Sequence, residues 1–491
     1  MRVPKLGNLT FLCFGGAVLR NREQYNMGKG KPILSKISIA NLKTTYYYLK
    51  KNGVKAALFA VQERMQKTPY DNYWYKAPDE AELKMQREKS FSLEAPVTFS
   101  LLIPAYNTNP EYLQELLESL RAQTYPFWEA VIADASSDIT SENSVVQVVK
   151  SYITENGEER IRYIRLKKNE GISENTNQAL ACATGDYTGL LDHDDLLTPD
   201  ALYENAIRIM EKKDSLPLLL YSDEDKCDET GANYYEVYKK QDFNLDLLLS
   251  NNYICHFTVM NTKLMQKLQF RCNFDGSQDY DLVLRGVSEI LPDESRIIHI
   301  PKVLYHWRCH SGSTAVNPQS KRYAYEAGKN ALEDFLKARG WKGSVYHTKH
   351  LGFFKIDYEP DIFTAREDIG VIGGKILNGK NKITGGIYDV HGRCPYEGLE
   401  QNFSGYMHQA SLKQDAYAVD IRCMRVRKDL WEIFERITGV AYVESPETGL
   451  FENGNCPPDT DWGAVSKAFC EAVTRLGYRI LWNPEQIVKK N

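Results

Sequence analysis

The 491-residue chain is expected to be an α/β protein built on a mostly parallel sheet with helices on both faces. Two observations predict this. Short apolar runs alternate with helically periodic segments between about residues 97 and 191, and turn residues with carboxylates punctuate the ends of the runs. Residues 97–104 (Val-Thr-Phe-Ser-Leu-Leu-Ile-Pro) are apolar almost throughout, as in a strand covered on both faces, and run into the turn Pro104-Ala-Tyr106-Asn107. Leu113, Leu116, Leu117 and Leu120 fall on one face of a helix over residues 110–123. A second strand over 130–134 ends at Asp134, before Ser136, Ser137, Asp138, Thr140 and Ser141, which favour turns and helix N-caps. A helix over 144–154, a strand over 161–166, a helix over 173–183 and a strand over 187–191 continue the alternation. Ligands of such sheets sit beyond the carboxyl ends of the strands. Asn107, Asp134 and Asp192 all fall there, so three separated segments should converge on one cleft. No G-x-G-x-x-G follows the first strand, which argues against a dinucleotide-binding dehydrogenase.

The last of these strands runs into Asp192-His193-Asp194-Asp195. Like charges this dense repel one another, and an oxygen-only cluster at a strand end suits Mg²⁺ or Mn²⁺, ions that in turn hold diphosphates. The plainer reading is a solvated acidic turn that caps the helix starting near Pro199.

Ile103-Pro-Ala-Tyr-Asn107, Asp134-Ala-Ser-Ser-Asp138, Asn169-Glu-Gly-Ile-Ser173, Asn177, Ala183-Thr-Gly-Asp186 and Leu191-Asp-His-Asp-Asp195 follow one another as in inverting family 2 glycosyltransferases, which the chain resembles. The resemblance extends through Tyr221-Ser-Asp-Glu-Asp-Lys226, Phe274-Asp-Gly-Ser-Gln-Asp-Tyr-Asp-Leu282 and Val303-Leu-Tyr-His-Trp-Arg-Cys-His-Ser-Gly-Ser313, over about residues 97–314. It is strongest to bacterial transferases of O-antigen-like or rhamnose-containing polysaccharides. Two positions depart from the family pattern: Ala133 precedes Asp134 where a second acidic residue is usual, and Gln278 precedes Asp279 where Glu is usual.

The resemblance implies a GT-A fold and a hexosyl- or rhamnosyltransferase that moves sugar with inversion from a nucleoside diphosphate to a glycan or lipid-linked acceptor. Asp192, Asp194 and His310 would hold Mg²⁺ or Mn²⁺. Pro104, Tyr106, Asn107, Asp134, Asn177, Asp192 and Arg308 would bind the donor, with Asp134 on its base. Asp279 would be the general base, while Glu224, Gln278 and Trp307 would face the acceptor. Other readings of these residues stay open: Asp279 and Asp281 as first-turn carboxylates at a helix N-terminus, and His306 and Trp307 as packing beneath the site. The remaining histidines show no metal-ligand spacing. A nucleotidyltransferase is the alternative enzyme, but residues 104–110 lack the Gly-rich basic loop expected of one. A non-catalytic glycan-binding or scaffold protein with a retained fold is the alternative outside catalysis.

Hydrophobic residues make up 43% of the chain, ample for more than one core. The ten cysteines form no Cys-x-x-Cys pair and are expected to be reduced thiols of a cytoplasmic protein. The longest apolar window, residues 9–19, is too short to span a bilayer and does not resemble a cleavable signal. Residues 1–70 carry 13 Lys and Arg against 2 acidic residues, the remainder 48 against 63. Leu42, Tyr46, Leu49, Leu58 and Val61 recur among these lysines, so residues 39–66 are expected to form a basic amphipathic helix. It would either lie on the anionic inner face of the cell membrane or dock on an acidic protein surface. Nucleic acid is not an expected partner at a pI of 6.2.

The expected organisation is a basic helical segment over 1–95, a catalytic domain over 96–345 and a degenerate half-repeat over 346–491. The repeat rests on Arg296-Ile-Ile-His-Ile-Pro-Lys-Val-Leu304 against Arg479-Ile-Leu-Trp-Asn-Pro-Glu-Gln-Ile487, preceded by Asp279-Tyr-Asp281 and Asp459-Thr-Asp461 respectively.

Overall fold

A computed structural model describes residues 72–489 except 213, 311–321 and 453–460, together with 53, 54 and 70. Tyr73–Asn491 belongs to one compact unit. The basic helix expected over 39–66, apart from 53 and 54, and Asp459 lie outside the described residues.

Helix α1 (Glu80–Phe91) is capped by Asp79, which accepts from the Glu82 amide. Its buried Gln86 accepts from Thr124 Oγ1 at 2.8 Å. This helix therefore packs with the α/β unit, although it falls inside the segment expected to stand apart. The α/β alternation follows as β1 (Phe99–Ala105), α2 (Pro110–Arg121), β2 (Trp128–Asp134), α3 (Val145–Asn156), β3 (Ile161–Arg165), α4 (Ile172–Leu180) and β4 (Tyr187–Leu190). Next come β5 (Leu196–Leu197), α5 (Ala201–Met210), β6 (Leu219–Cys227), β7 (Tyr234–Tyr238), α6 (Leu245–Leu248), β8 (Val259–Asn261), α7 (Thr262–Leu268), α8 (Gln278–Ile290), β9 (Ile297–Arg308) and α9 (Arg322–Ala338).

Strand order is β3-β2-β1-β4-β8-β6-β9-β5, with β7 beside β6. Pairing is parallel from β3 to β4 and again between β6 and β9. Short β8 runs antiparallel to both β4 and β6, so β1–β4, β6 and β9 all point the same way. The sheet is buried on both faces. Leu101 and Ile103 of β1 pack with the four α2 leucines, while Leu102 packs in a second layer with Ala179 and Leu180 of α4 and Leu282 of α8. Each of those α2 leucines is fully buried, a contribution of roughly 1.5–3 kcal/mol apiece. Double-sided burial is the reason the strands read as continuous apolar runs.

After α9, an antiparallel hairpin of β10 (Gly343–His347) and β11 (Phe354–Tyr358) pairs across position 345. Val345, Phe354 and Ile356 join the same core layer as α8 and α9, so a domain boundary at 345 would split a strand pair. Beyond it stand α10 (Ile362–Ala365), β12 (Ile369–Leu377), β13 (Ile383–Gly385), β14 (Ile387–Tyr388), β15 (Gln414–Asp415), β16 (Ala418–Val419), β17 (Met424–Val426), α11 (Trp431–Thr438), α12 (Trp462–Arg475) and β18 (Arg479–Lys489). They form a second sheet, β13-β12-β18-β15 with β17 beside β12, over a separate core. In it β12 pairs in parallel with β18, and α12 leads into β18. The first sheet pairs β6 with β9 and leads into β9 through α8. Among the described residues no helix is long and apolar enough to cross a membrane.

Candidate active site

Two turns at strand ends build one wall. After β1, Asn107 adopts left-handed backbone (φ 49°). Its amide donates to Ser136 Oγ (2.8 Å) and its Oδ1 accepts from the Ser137 amide (3.2 Å), which fastens the turn after β1 to the turn after β2. Tyr106 stands exposed beside it, and Pro104 is half-buried. Asp134 differs from the expectation of a base-binding carboxylate. It is fully buried, with Oδ1 taken by the Ser136 amide (2.8 Å) and Oδ2 by Tyr163 Oη (2.7 Å) and Arg165 (3.2 Å). It knits the turn and presents no open face. Asn177 is also structural, because its amide exchanges hydrogen bonds with the backbone O and N of Phe270 (2.9 and 2.8 Å).

The acidic loop after β4 is clamped by β9. Tyr305 Oη donates to Asp195 Oδ2 (2.5 Å), and the Arg308 amide donates to Asp195 Oδ1 (2.7 Å). Asp195 is therefore buried structure, and burial with Asp194 and Asp192 nearby pushes its carboxyl well up. Arg308 was expected to reach the diphosphate and does not. Its side chain is fully buried, bonding Asp194 O (2.6 Å), Glu229 O (2.8 Å) and Glu115 (2.6 Å) beneath the loop. His310 meets the acidic loop, with Nε2 2.9 Å from Asp194 Oδ2.

Asp192 and Asp194 are left partly accessible. Burial raises the Asp192 carboxyl above its ordinary range, Asp194 and Asp279 push the same way, and His256 and His193 pull against them. His256 escaped the sequence reading. One ring nitrogen lies within 4.8 Å of carboxylate oxygens of Asp192 and Asp195, and the ring stacks on Tyr305 at 4.6 Å. No spacing could have revealed it, because it comes from the 249–258 loop and meets the acidic loop only through the fold. Trp307 sits half-buried against His256, ring centroids 5.7 Å apart. His306 is buried on Asp225 (2.5 Å), the packing role left open for it.

The second carboxylate of the cleft is Asp279, in the first turn of α8. Asn252 Nδ2 (2.8 Å) and Cys255 Sγ (3.7 Å) both donate to its Oδ2. The Cys255 thiol records the convergence: burial, then Asp279 and Glu224, push it well up, with Asp192 adding to them. Glu224 Oε2 accepts from Lys240 Nζ (2.9 Å) and the His256 amide (3.2 Å). Gln278 folds back onto the Gly276 amide (2.8 Å). Asp281 is neither a base nor a simple cap; it is buried between Arg271 and Arg285 (2.7 Å to Arg285). A second acidic group, Glu82, Asp200 and Glu204, is already bridged by Lys302 (3.6, 2.5 and 2.9 Å).

Residues 100–269, which hold the strand-end turns and the acidic loop, match the profile of Glycosyl transferase family 2. This stretch is a family 2 glycosyltransferase domain. Its fold is of the GT-A type, the α/β class the strand alternation predicts. The chain is 40% identical over 240 residues to uncharacterized protein y4gI of Sinorhizobium fredii, which covers 48% of this chain and 25% of that one. It is 30% identical over 273 residues to the O-antigen biosynthesis protein RfbC of Myxococcus xanthus, 55% and 20% of the two chains. The chain thus spans a quarter or less of the length of these curated relatives. Among solved structures it resembles S. aureus TarS 1-349 in complex with UDP-GlcNAc, with a TM-score of 0.38, 20% identity and coverage of 49% and 66%.

The residues present fit a divalent cation. Carboxylate oxygens of Asp192 and Asp195 and a ring nitrogen of His256 lie within 4.8 Å of one another, and a mainly carboxylate donor set suits Mg²⁺ or Mn²⁺.

Proposed function

We propose that the glycosyltransferase domain transfers a sugar, with inversion, from a nucleoside-diphosphate sugar to a hydroxyl of a growing glycan. The observation that carries this reading is that neighbouring residues of one loop join carboxylates of separate elements: His256 meets Asp192, and Asn252 and Cys255 bond Asp279. Asp192, Asp194 and His310 would hold Mg²⁺ or Mn²⁺, with His256 beside them; when bound, the ion neutralises charge on the departing diphosphate. The turn 104–107 lines the donor side. Asn252 and Cys255 both donate to Oδ2 of Asp279, which holds this residue in place and would leave Oδ1 to take the acceptor's proton. The acceptor oxygen forms a bond to the anomeric carbon from the face opposite the diphosphate. Its proton passes to Asp279, and the carbon–oxygen bond to the diphosphate breaks with the electron pair leaving on the diphosphate. Trp307, half-buried against His256, offers a flat apolar face to an acceptor sugar.

Cell-surface polysaccharide synthesis, with a hexosyl or rhamnosyl donor, is the setting we infer, supported by the similarity to RfbC. We read residues 346–491 as a degenerate acceptor-side half-module, supported by the shared helix-then-parallel-strand plan of β6/β9 and β12/β18.

Replacing Asp279 tests the assignment of the base. Asp279→Asn should lower turnover by roughly 10²–10⁴-fold while donor affinity stays unchanged. Loss of donor binding in a folded variant would move Asp279 to the donor site.

A further inference from the structure

The segment 237–256 supplies much of the cleft: Lys239 and Lys240, which hold Asp223 and Glu224, and Asn252, Cys255 and His256, which meet Asp279 and Asp192. Lys240 is its internal anchor. Its fully buried Nζ has three protons and three acceptors, Glu224 Oε2 (2.9 Å), Ile254 O (2.7 Å) and His256 O. The His256 amide returns to the same Glu224 oxygen, so one lysine sets both the carboxylate and the backbone that carries the imidazole.

This segment is fastened along its length by residues beyond the β10–β11 hairpin. Tyr406 Oη donates to Val237 O (2.7 Å) and accepts from the Lys239 amide (2.9 Å), immediately before Lys240. Asp415 caps α6, accepting from the Leu245 amide (2.8 Å), and exchanges two further 2.9 Å bonds with Asn244. Asp246 of α6 pairs with the fully buried Arg366 (2.7 Å). Ser250 Oγ donates to Lys413 O (3.0 Å), two residues before Asn252. Arg366 holds Asp246 low against the effect of burial, while burial and Asp246 push Asp415 well up. An apolar interface would join the two modules without fixing register. Directional bonds to backbone fix where each residue of the segment sits, and a reacting constellation needs placement to within about 0.5 Å.

We infer that residues 404–415 act as a brace for the catalytic cleft, with Tyr406 and Asp415 as positioning residues that set Lys240, Asn252 and His256. The effect on turnover rests on the glycosyltransferase reading; the effect on the segment does not.

The test compares the full-length wild type with Tyr406→Phe, which keeps the ring and removes the hydroxyl. Tyr417→Phe is the control, since the hydroxyl of the exposed Tyr417 bonds only Glu471 among the described contacts (2.5 Å). Hydrogen exchange over 237–256 is read by mass spectrometry, and donor KM and kcat are measured with Mn²⁺ and UDP-, GDP- and dTDP-sugars. The brace predicts exchange in 237–256 faster by roughly two- to tenfold in Tyr406→Phe, kcat lower by a similar factor, donor KM unchanged, and no change in the control. Unchanged exchange overturns the brace, and faster exchange at full kcat overturns its catalytic role. If Tyr406→Phe does not fold, Ser250→Ala, which removes the tie to Lys413 together with a bond to Asp246 O within the segment, carries the same expectations. A wild type that turns over none of these donors defeats the proposed function, and the exchange result then decides the brace alone.

Discussion

Asp192 concentrates the electrostatic problem of the cleft. Its carboxyl is raised first by burial and then by Asp194 and Asp279. A carboxyl whose folded-state pKa exceeds its unfolded value costs the fold nothing below the unfolded pKa and destabilises it as pH rises through the folded one. Stability without a cation should therefore fall with rising pH at this site, and a cation, which binds the ionised form, should restore more of it at higher pH. Mn²⁺ should raise Tm by a few degrees near about pH 8 and by less near about pH 5.5, with no shift in Asp192→Ala. A shift that is independent of pH, or that survives in Asp192→Ala, removes Asp192 from the ion site. Individual residues were legible in the sequence where chemistry was concentrated locally, as in Asp192-His193-Asp194-Asp195. Arg308 misled because an arginine beside a histidine reads as a phosphate ligand; the fold instead needs a donor under the acidic loop for Asp194 O and Glu229 O. His256 and Lys240 were invisible because their partners lie in other segments.

At the level of elements, α8 shows how one turn divides its carboxylates. Asp279 faces the cleft, whereas Asp281, two residues on, turns inward between Arg271 and Arg285. Removing the Asp281 charge leaves Arg285 without its carboxylate and the partly exposed Arg271 with Asp334 alone (2.7 Å). Asp281→Asn should cost about 2–4 kcal/mol in urea denaturation, toward the lower end because Arg271 is screened by solvent, while donor affinity is retained. If stability is kept and turnover is lost instead, Asp281 and not Asp279 is the base. The strands β1 to β4 were legible because burial on both faces writes an unbroken apolar run. By contrast β5 and β8, two and three residues long, carry no periodicity to read, and the hairpin over 343–358 was cut because its pairing is antiparallel and local.

For the whole molecule, charge separates what the described unit does from where it works. The 13 basic residues against 2 acidic in residues 1–70 suit an anionic membrane surface, and each basic side chain near such a surface contributes about 1 kcal/mol. Full-length protein should bind phosphatidylserine vesicles and release them as salt is raised. Binding indifferent to lipid charge would favour docking on protein instead. The proposed half-repeat rests on nine aligned positions and a pair of acidic residues, whereas the contact of this region with the catalytic segment was not legible, since Tyr406 and Asp415 meet 237–250 only in the folded chain. If the Asp192 cleft uses a divalent ion to turn over a nucleotide sugar, donor hydrolysis with Mn²⁺ across UDP-, GDP- and dTDP-sugars separates wild type from Asp192→Ala and from excess chelator. Wild type should hydrolyse at least one donor, and the substitution and the chelator should each abolish that hydrolysis. Hydrolysis that persists at the wild-type rate in folded Asp192→Ala, or in chelator, would contradict that use of the ion.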